Sequence, residues 1–126
     1  MAHNNYYFQI EPCPFYDEGQ SDVPNDLYVF GYHIKITNTG GIAAKLMSRH
    51  WVITDAHGQV QEVRGIGVVG EQPSIAPGET FRYSSGVALK TPYGTMKGSY
   101  RMVADNGVQF DVEVPEMVFS AKRVLH

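Results

Sequence analysis

Apolar and polar side chains alternate along residues 27–38, where Tyr28, Phe30, Tyr32, Ile34 and Ile36 share one parity. Successive strand side chains point to opposite faces, so this run predicts a strand with those five residues toward a core. Gly40 and Gly41 interrupt it, and a second strand is predicted over 45–55 with Met47, Arg49, Trp51 and Ile53 on one side. Arg49 is out of place in that row. His57-Gly58 signals a turn, from which residues 59–64 can pair back as the other arm of a hairpin. Further strands are predicted over 79–83, 99–104 and 108–119, with an N-terminal one around 7–10. In the stretch from 108, Val108, Phe110, Val112 and Val114 alternate with Gln109, Asp111, Glu113 and Pro115, a pattern of one buried and one solvated face. Asp105-Asn106-Gly107 between the last two strands predicts a type I′ turn, which needs positive φ at both central residues. Seven to eight short strands with turn signals between them predict an all-β, antiparallel two-sheet sandwich.

Composition strengthens that reading. The chain has 126 residues, room for one domain over 1–126, with a loosely held tail near 121–126. Val (14) and Ile (seven) outnumber Leu (four), while 13 Gly and seven Pro break nearly every stretch long enough for a helix. A formal net charge of −3 argues against nucleic acid as a partner, and no apolar run is long enough to suggest a membrane span. Residues 1–34 hold five acids (Glu11, Asp17, Glu18, Asp22, Asp26) and no Lys or Arg, which reads as a solvated loop over 16–26 or an acidic docking edge. The lone Cys13 cannot form an internal disulfide. Together with an N-terminus lacking the blocks of a secretory leader, it sets the expectation of a cytoplasmic protein.

The block Leu46-Met-Ser-Arg-His-Trp-Val-Ile-Thr-Asp55, followed by Glu62-Val-Arg-Gly-Ile-Gly-Val-Val-Gly-Glu-Gln-Pro73, closely resembles the bacterial ApaG family, also called CorD. Ile75-Ala-Pro-Gly-Glu-Thr-Phe81, Tyr83-Ser-Ser-Gly86, Thr91-Pro-Tyr-Gly-Thr-Met96 and Gly98-Ser-Tyr-Arg-Met102 resemble the same family in the same order, so the likeness spans nearly the whole chain. The resemblance implies a fibronectin type III-like sandwich, a cytoplasmic setting and a loose association with cobalt tolerance and magnesium efflux. It brings no established catalytic residues. Related domains in eukaryotic F-box and polymerase-interacting proteins imply a protein-binding role.

Gly65-Ile-Gly-Val-Val-Gly70 matches G-x-G-x-x-G, but Pro73 and Pro77 follow closely and no βαβ unit surrounds it, so a dinucleotide site is excluded. Gly65, Gly67 and Gly70 either shape a bulged or tightly turned strand connection, or form a nest of N–H groups that holds a phosphate or pyrophosphate with Arg64 and Arg49. Arg49 itself is expected either to be buried and paired, with Asp55 or Glu62, or to be exposed to grip an anion. His50, Asp55 and His57 are the nearest group of metal-ligand types, without the spacing of a zinc motif. Cys13 lacks a neighbouring base in sequence, and Ser84-Ser85-Gly86 reads as a serine-rich turn rather than a nucleophile elbow. Gln72, Tyr83, Tyr93 and Met96, drawn from the 65–73 loop and the 83–96 segment, are candidates for an interaction surface. The sequence thus predicts a non-catalytic module without a cofactor that binds another protein, with a phosphate-containing ligand as the alternative.

Overall fold

The computed structural model describes residues 5–121, so the expectation of a loose tail lies, apart from Ala121, outside the described residues. Eight strands follow one another: β1 (Phe8–Tyr16), β2 (Tyr28–Asn38), β3 (Ala44–Asp55), β4 (Val60–Ile66), β5 (Ser74–Ile75), β6 (Thr80–Leu89), β7 (Tyr93–Ala104) and β8 (Gln109–Ser120). Two single-turn 3-10 segments, Glu18–Gln20 and Val23–Asn25, lie between β1 and β2. All pairings are antiparallel, in a three-stranded sheet β1-β2-β6 and a larger sheet β4-β3-β7-β8 in which β5 also pairs with β3. The chain is therefore an all-β sandwich.

The core lies between the sheets. β2 supplies Phe30, Tyr32, Ile34 and Ile36 as expected, and they meet Trp51 and Ile53 of β3, Tyr100 and Met102 of β7, and Val112, Val114, Met117 and Phe119 of β8. Phe30 stacks on Phe119 at 5.1 Å, and Trp51 meets Tyr32 and Tyr100 edge-on, each at 5.9 Å. Phe110 is half-buried at the rim, packed on Tyr6 and Phe8.

Two strands depart from simple alternation. Against β7 the register of β3 shifts between Leu46 and Ser48. The bulge lets Leu46 be fully enclosed along with Trp51 and Ile53, while Met47, expected on the core side, is only half-buried. In β8 the register against β7 slips at Pro115 and Glu116, so burial passes from Val112 and Val114 to Met117 and Phe119. Proline suits such a position because a bulge removes a ladder bond it cannot make. Val108, expected inside, precedes the strand and is exposed.

Further corrections concern turns. At residues 105–107 only Gly107 has positive φ (87°); Gly107 N–H donates to Ala104 O and Ala104 N–H to Val108 O. That is a three-residue hairpin loop rather than type I′. Ser84-Ser85-Gly86 is not a turn: β6 continues through it to Leu89 in unbroken register with β2. β1 likewise runs six residues beyond the expected 7–10, through Pro12 and Pro14, which an edge strand tolerates.

Candidate functional site

The glycine segment folds as a tight hairpin seated on β3. Gly65 belongs to β4, opposite Arg49, and a Cβ there would come within 2.6 Å of the guanidinium carbon. Gly67 (φ 61°) lies so close to Glu71 O that no side chain fits. Val68 and Glu71 exchange N–H···O bonds of 2.8 and 2.9 Å across Val69 (φ 43°) and Gly70 (φ 80°), which is the type I′ geometry. Gly67 N–H donates to Met47 O at 2.8 Å, and Val68 is wholly enclosed, anchoring the loop to the core.

The amides that an anion nest would need at Gly67, Val68 and Glu71 are therefore already bonded. Arg49 is not paired with Asp55 or Glu62; its Nη1 donates to the carbonyls of Gly67 (2.8 Å) and Ile66 (3.2 Å). Neutral oxygens thus meet the guanidinium, and it props the hairpin from the inner side of the sheet. Arg64 projects from the opposite face, where it meets Glu62 at 3.3 Å, so the two guanidinium groups are engaged separately although both residues border one groove. Gln72 is also a brace, its Nε2 donating to Met47 O at 3.0 Å.

Tyr83 and Met96 are core residues, 8% and 1% exposed, which removes them from any interaction surface. Tyr83 and Tyr100 share a 2.6 Å hydroxyl hydrogen bond, and burial raises both phenols well above the ordinary tyrosine value; burial also raises Tyr32. Arg49 opposes those shifts weakly. Trp51, expected to find a partner for its indole N–H, is enclosed without one among the described residues. These phenols stay protonated across the physiological range and act as interior hydrogen-bonding groups, not as acids or bases.

The outward face of the larger sheet is ordered in rows by register. One row is Arg64, His50, Ser99 and Glu113; the next is Ile66, Ser48, Arg101 and Asp111. His50 Nε2 lies 2.6 Å from Glu62 Oε2, and Arg101 Nε lies 2.6 Å from Asp111 Oδ1. The hydrogen bond from His50, and then the Arg64 charge, hold the Glu62 carboxyl below its ordinary value. The metal candidates are not brought together: His50 is engaged with Glu62, while Asp55 Oδ1 caps the β3–β4 turn by accepting from the N–H groups of His57 and Gln59. Among the described residues no three His, Cys, Asp or Glu side chains are placed to hold one ion.

At the far end of the same face the charged rows give way to valine, threonine and tyrosine. Val60, Thr54, Thr95 and Val118 stand side by side across four strands, with Tyr93 two residues before Thr95 on the same face. Val60, Val118 and Tyr93 are 65%, 49% and 48% exposed. Of the sequence candidates for an interaction surface, Tyr93 alone stands in this row.

The outward face of the smaller sheet holds a group that sequence reasoning missed. Register sets Cys13 opposite His33 and His33 opposite Ser84, with His33 Nδ1 2.6 Å from Ser84 Oγ and the Phe15 ring stacked on the imidazole at 4.9 Å. Residues 20 and 51 positions apart meet here only through strand pairing, which no local motif announces. Among the described residues no carboxylate pairs with His33 to orient it, so the hydroxyl–imidazole contact lacks the third member of a nucleophilic triad.

Comparison with known proteins bears on the whole arrangement. "Protein ApaG" of Chromobacterium violaceum is 56% identical over 126 residues, covering all of both chains, and that of Thiobacillus denitrificans is 58% identical over 121 residues, 96% of this chain and 95% of the relative. A crystal structure of a Bordetella pertussis protein described as ApaA superposes with a TM-score of 0.92 at 49% identity, covering 96% of this chain and 98% of that one. Residues 18–104, from the first 3-10 turn to the end of β7, match the pattern of the ApaG domain, and the chain belongs to that family.

Proposed function

We propose that this chain is a non-catalytic binding module whose partner is another protein. The observation that carries the reading is the row Val60-Thr54-Thr95-Val118 with Tyr93 beside it. The outer face of an antiparallel sheet is normally its polar side, and large exposed apolar side chains on it, here Tyr93 and Val118 on neighbouring strands with Val60 beyond the two threonines, mark contact surfaces. Tyrosine at such a place offers a large contact area with little rotamer entropy to lose. The test compares proteins retained from a bacterial lysate by the immobilised wild-type chain and by a Val60→Asp, Tyr93→Asp variant with unchanged circular dichroism. A specific protein held by the first and lost by the second is expected. Retention of nothing by the wild type, or equal retention by both, rejects the reading.

The cobalt and magnesium association implied by the family, and a cytoplasmic setting, belong to the same proposal: divalent ions act through the partner and not at a site on this chain. Calorimetry with cobalt should then show no stoichiometric binding that His50→Ala or His57→Ala abolishes. A phosphate-containing ligand is the second reading. Its place shifts from the glycine hairpin to the groove lined by Ser48, Arg49, His50, Arg64, Ser99, Arg101 and Asp111, where three arginines stand against one carboxylate, itself paired with Arg101. Pyrophosphate titration should move amides there, and Arg101→Ala should suppress those shifts.

A further inference from the structure

Besides the two-residue β5, four strands border the two sheets: β1 and β6 on the smaller, β4 and β8 on the larger. A border strand presents unpaired N–H and C=O groups to any passing chain, and folded proteins blunt such edges with proline, bulges, charge or brevity. Three of the four are blunted. β1 carries Pro12 and Pro14, and because proline is kept where its missing N–H would face away from β2, the open edge is the side that loses donors. β8 is interrupted by its bulge at Pro115 and Glu116 and carries Asp111 and Glu113. β4 has seven residues and exposes Glu62 and Arg64.

β6 has no proline, bulge or brevity to blunt it, and a single charge. Its ten residues keep regular register with β2 from Tyr28↔Leu89 to Thr37↔Thr80, without proline or bulge, and Arg82 is its one charged side chain. Ser84, Ser85, Gly86 and Ala88 are exposed and small, so another backbone can approach closely. No backbone group of this strand bonds to anything but β2 among the described residues.

Side chains beside this edge indicate what would settle on it. On the outward face, register aligns Phe15, Gly31 and Gly86 in one row. The Phe15 ring lies over Gly31, where any Cβ would strike it, and is 41% exposed; Gly86 beyond it is exposed and carries no side chain, and a Cβ there would come within 3.1 Å of Phe30 O. A large side chain on an added strand, about 4.8 Å further out, can lean across Gly86 onto Phe15, as aromatic residues do over glycine in paired strands. Four residues away on the same face the row is Glu11, Lys35 and Arg82. Glu11 and Lys35 pair at 3.7 Å, and Arg82 has no ion-pair partner among the described residues.

We propose that the open edge of β6 receives an extended segment of a partner protein by strand addition, the segment bearing an aromatic or large apolar side chain and a carboxylate four residues apart on its outward face. Main-chain bonds supply the attachment, and the Phe15–Gly86 and Arg82 rows select the sequence. The edge is distinct from the Val60–Tyr93 row, and only its biological setting rests on the binding-module reading.

The test is an amide NMR titration of the full chain with the peptide acetyl-Thr-Phe-Thr-Val-Thr-Glu-Thr-amide and with its reversed sequence. Shifts should concentrate at residues 82–88 and around Phe15. N-methylation of one set of alternate peptide amides should weaken binding more than tenfold, and methylation of the other set should leave it nearly unchanged. Replacing the peptide Glu by Lys should weaken binding by roughly three- to fivefold, as expected for one exposed ion pair, and Arg82→Glu should reverse that preference. The proposal is overturned if β6 amides do not move, if both N-methylated peptides bind equally, or if the free chain sediments as a dimer with those amides already protected, since a second copy would then be the occupant. The Val60→Asp, Tyr93→Asp variant should bind the peptide normally, so failure of either proposal leaves the other standing.

Discussion

Val69 occupies a backbone region that β-branched residues avoid, with φ at 43°, and no local gain offsets it because its side chain is exposed. The hairpin closed by Val68 and Glu71 imposes the conformation. Val69→Gly should therefore stabilise the chain by about 1 kcal/mol, the order of the left-handed penalty, as read from the denaturant midpoint at constant slope. Asn38 is the opposite case: it is almost completely buried, its Nδ2 donates to Ile42 O and Ile75 O, and its Oδ1 accepts from Gly40 N–H. Asn38→Ala strands those three groups and should cost about 2–4 kcal/mol. The sequence shows Asn38 only as the last residue of a strand, since the partner at Ile75 is 37 positions away. Trp51 was legible as core. Its truncation to Ala should cost on the order of 3–5 kcal/mol, measured by the same denaturation.

At the scale of elements, β2 could be read from its alternation because neither neighbour bulges it. β3 and β8 were read in place, and in phase only on one side of each bulge, at Trp51 and Ile53 and at Val112 and Val114, for a bulge changes which residues face inward without leaving a period of its own. Pro115 was a visible hint, being a residue that cannot serve a central ladder. Deleting Glu116 makes this phase argument testable. It removes the extra residue of β8 and sets Met117 and Phe119 two and four residues after Val114, so simple alternation keeps both on the inward face opposite Met96 and Gly94. Near-UV circular dichroism should show the fixed packing retained in the deletion, as in Glu116→Ala, which keeps the count; its loss in the deletion alone would contradict the assignment of Glu116 as the extra residue. The candidate site was less legible than the fold for the same reason. Arg49, Arg64 and the glycines are adjacent in sequence, but strand alternation sends the two arginines to opposite faces, while Tyr93, Val118 and Val60 meet only across three strand pairings.

For the molecule as a whole, nearly every contact that matters joins residues far apart in the chain, a topology that folds slowly compared with helical proteins of this size. Its acid response has a defined sign. Glu62 is held below its ordinary value by His50 and Arg64, so its stabilising effect is complete above the unfolded carboxylate value of about 4.3 and is lost as pH falls through the lower folded value. The group is fully exposed, so salt should suppress the effect. At low ionic strength Glu62→Gln should slightly lower the melting temperature near neutrality, where the wild-type contribution is complete, and flatten the acid limb below about pH 4.3, so that the two chains converge in acid.

The unpartnered indole N–H of Trp51 also makes the chain report on itself. This is the sole tryptophan, enclosed between Tyr32 and Tyr100, with no bond from its nitrogen among the described residues. Its fluorescence should sit at the blue end of the tryptophan range in the folded chain and should be fed by energy transfer from the two phenols. Emission from one ring at the centre of the sandwich then separates an event at the surface, which leaves its colour unchanged, from one that parts the sheets.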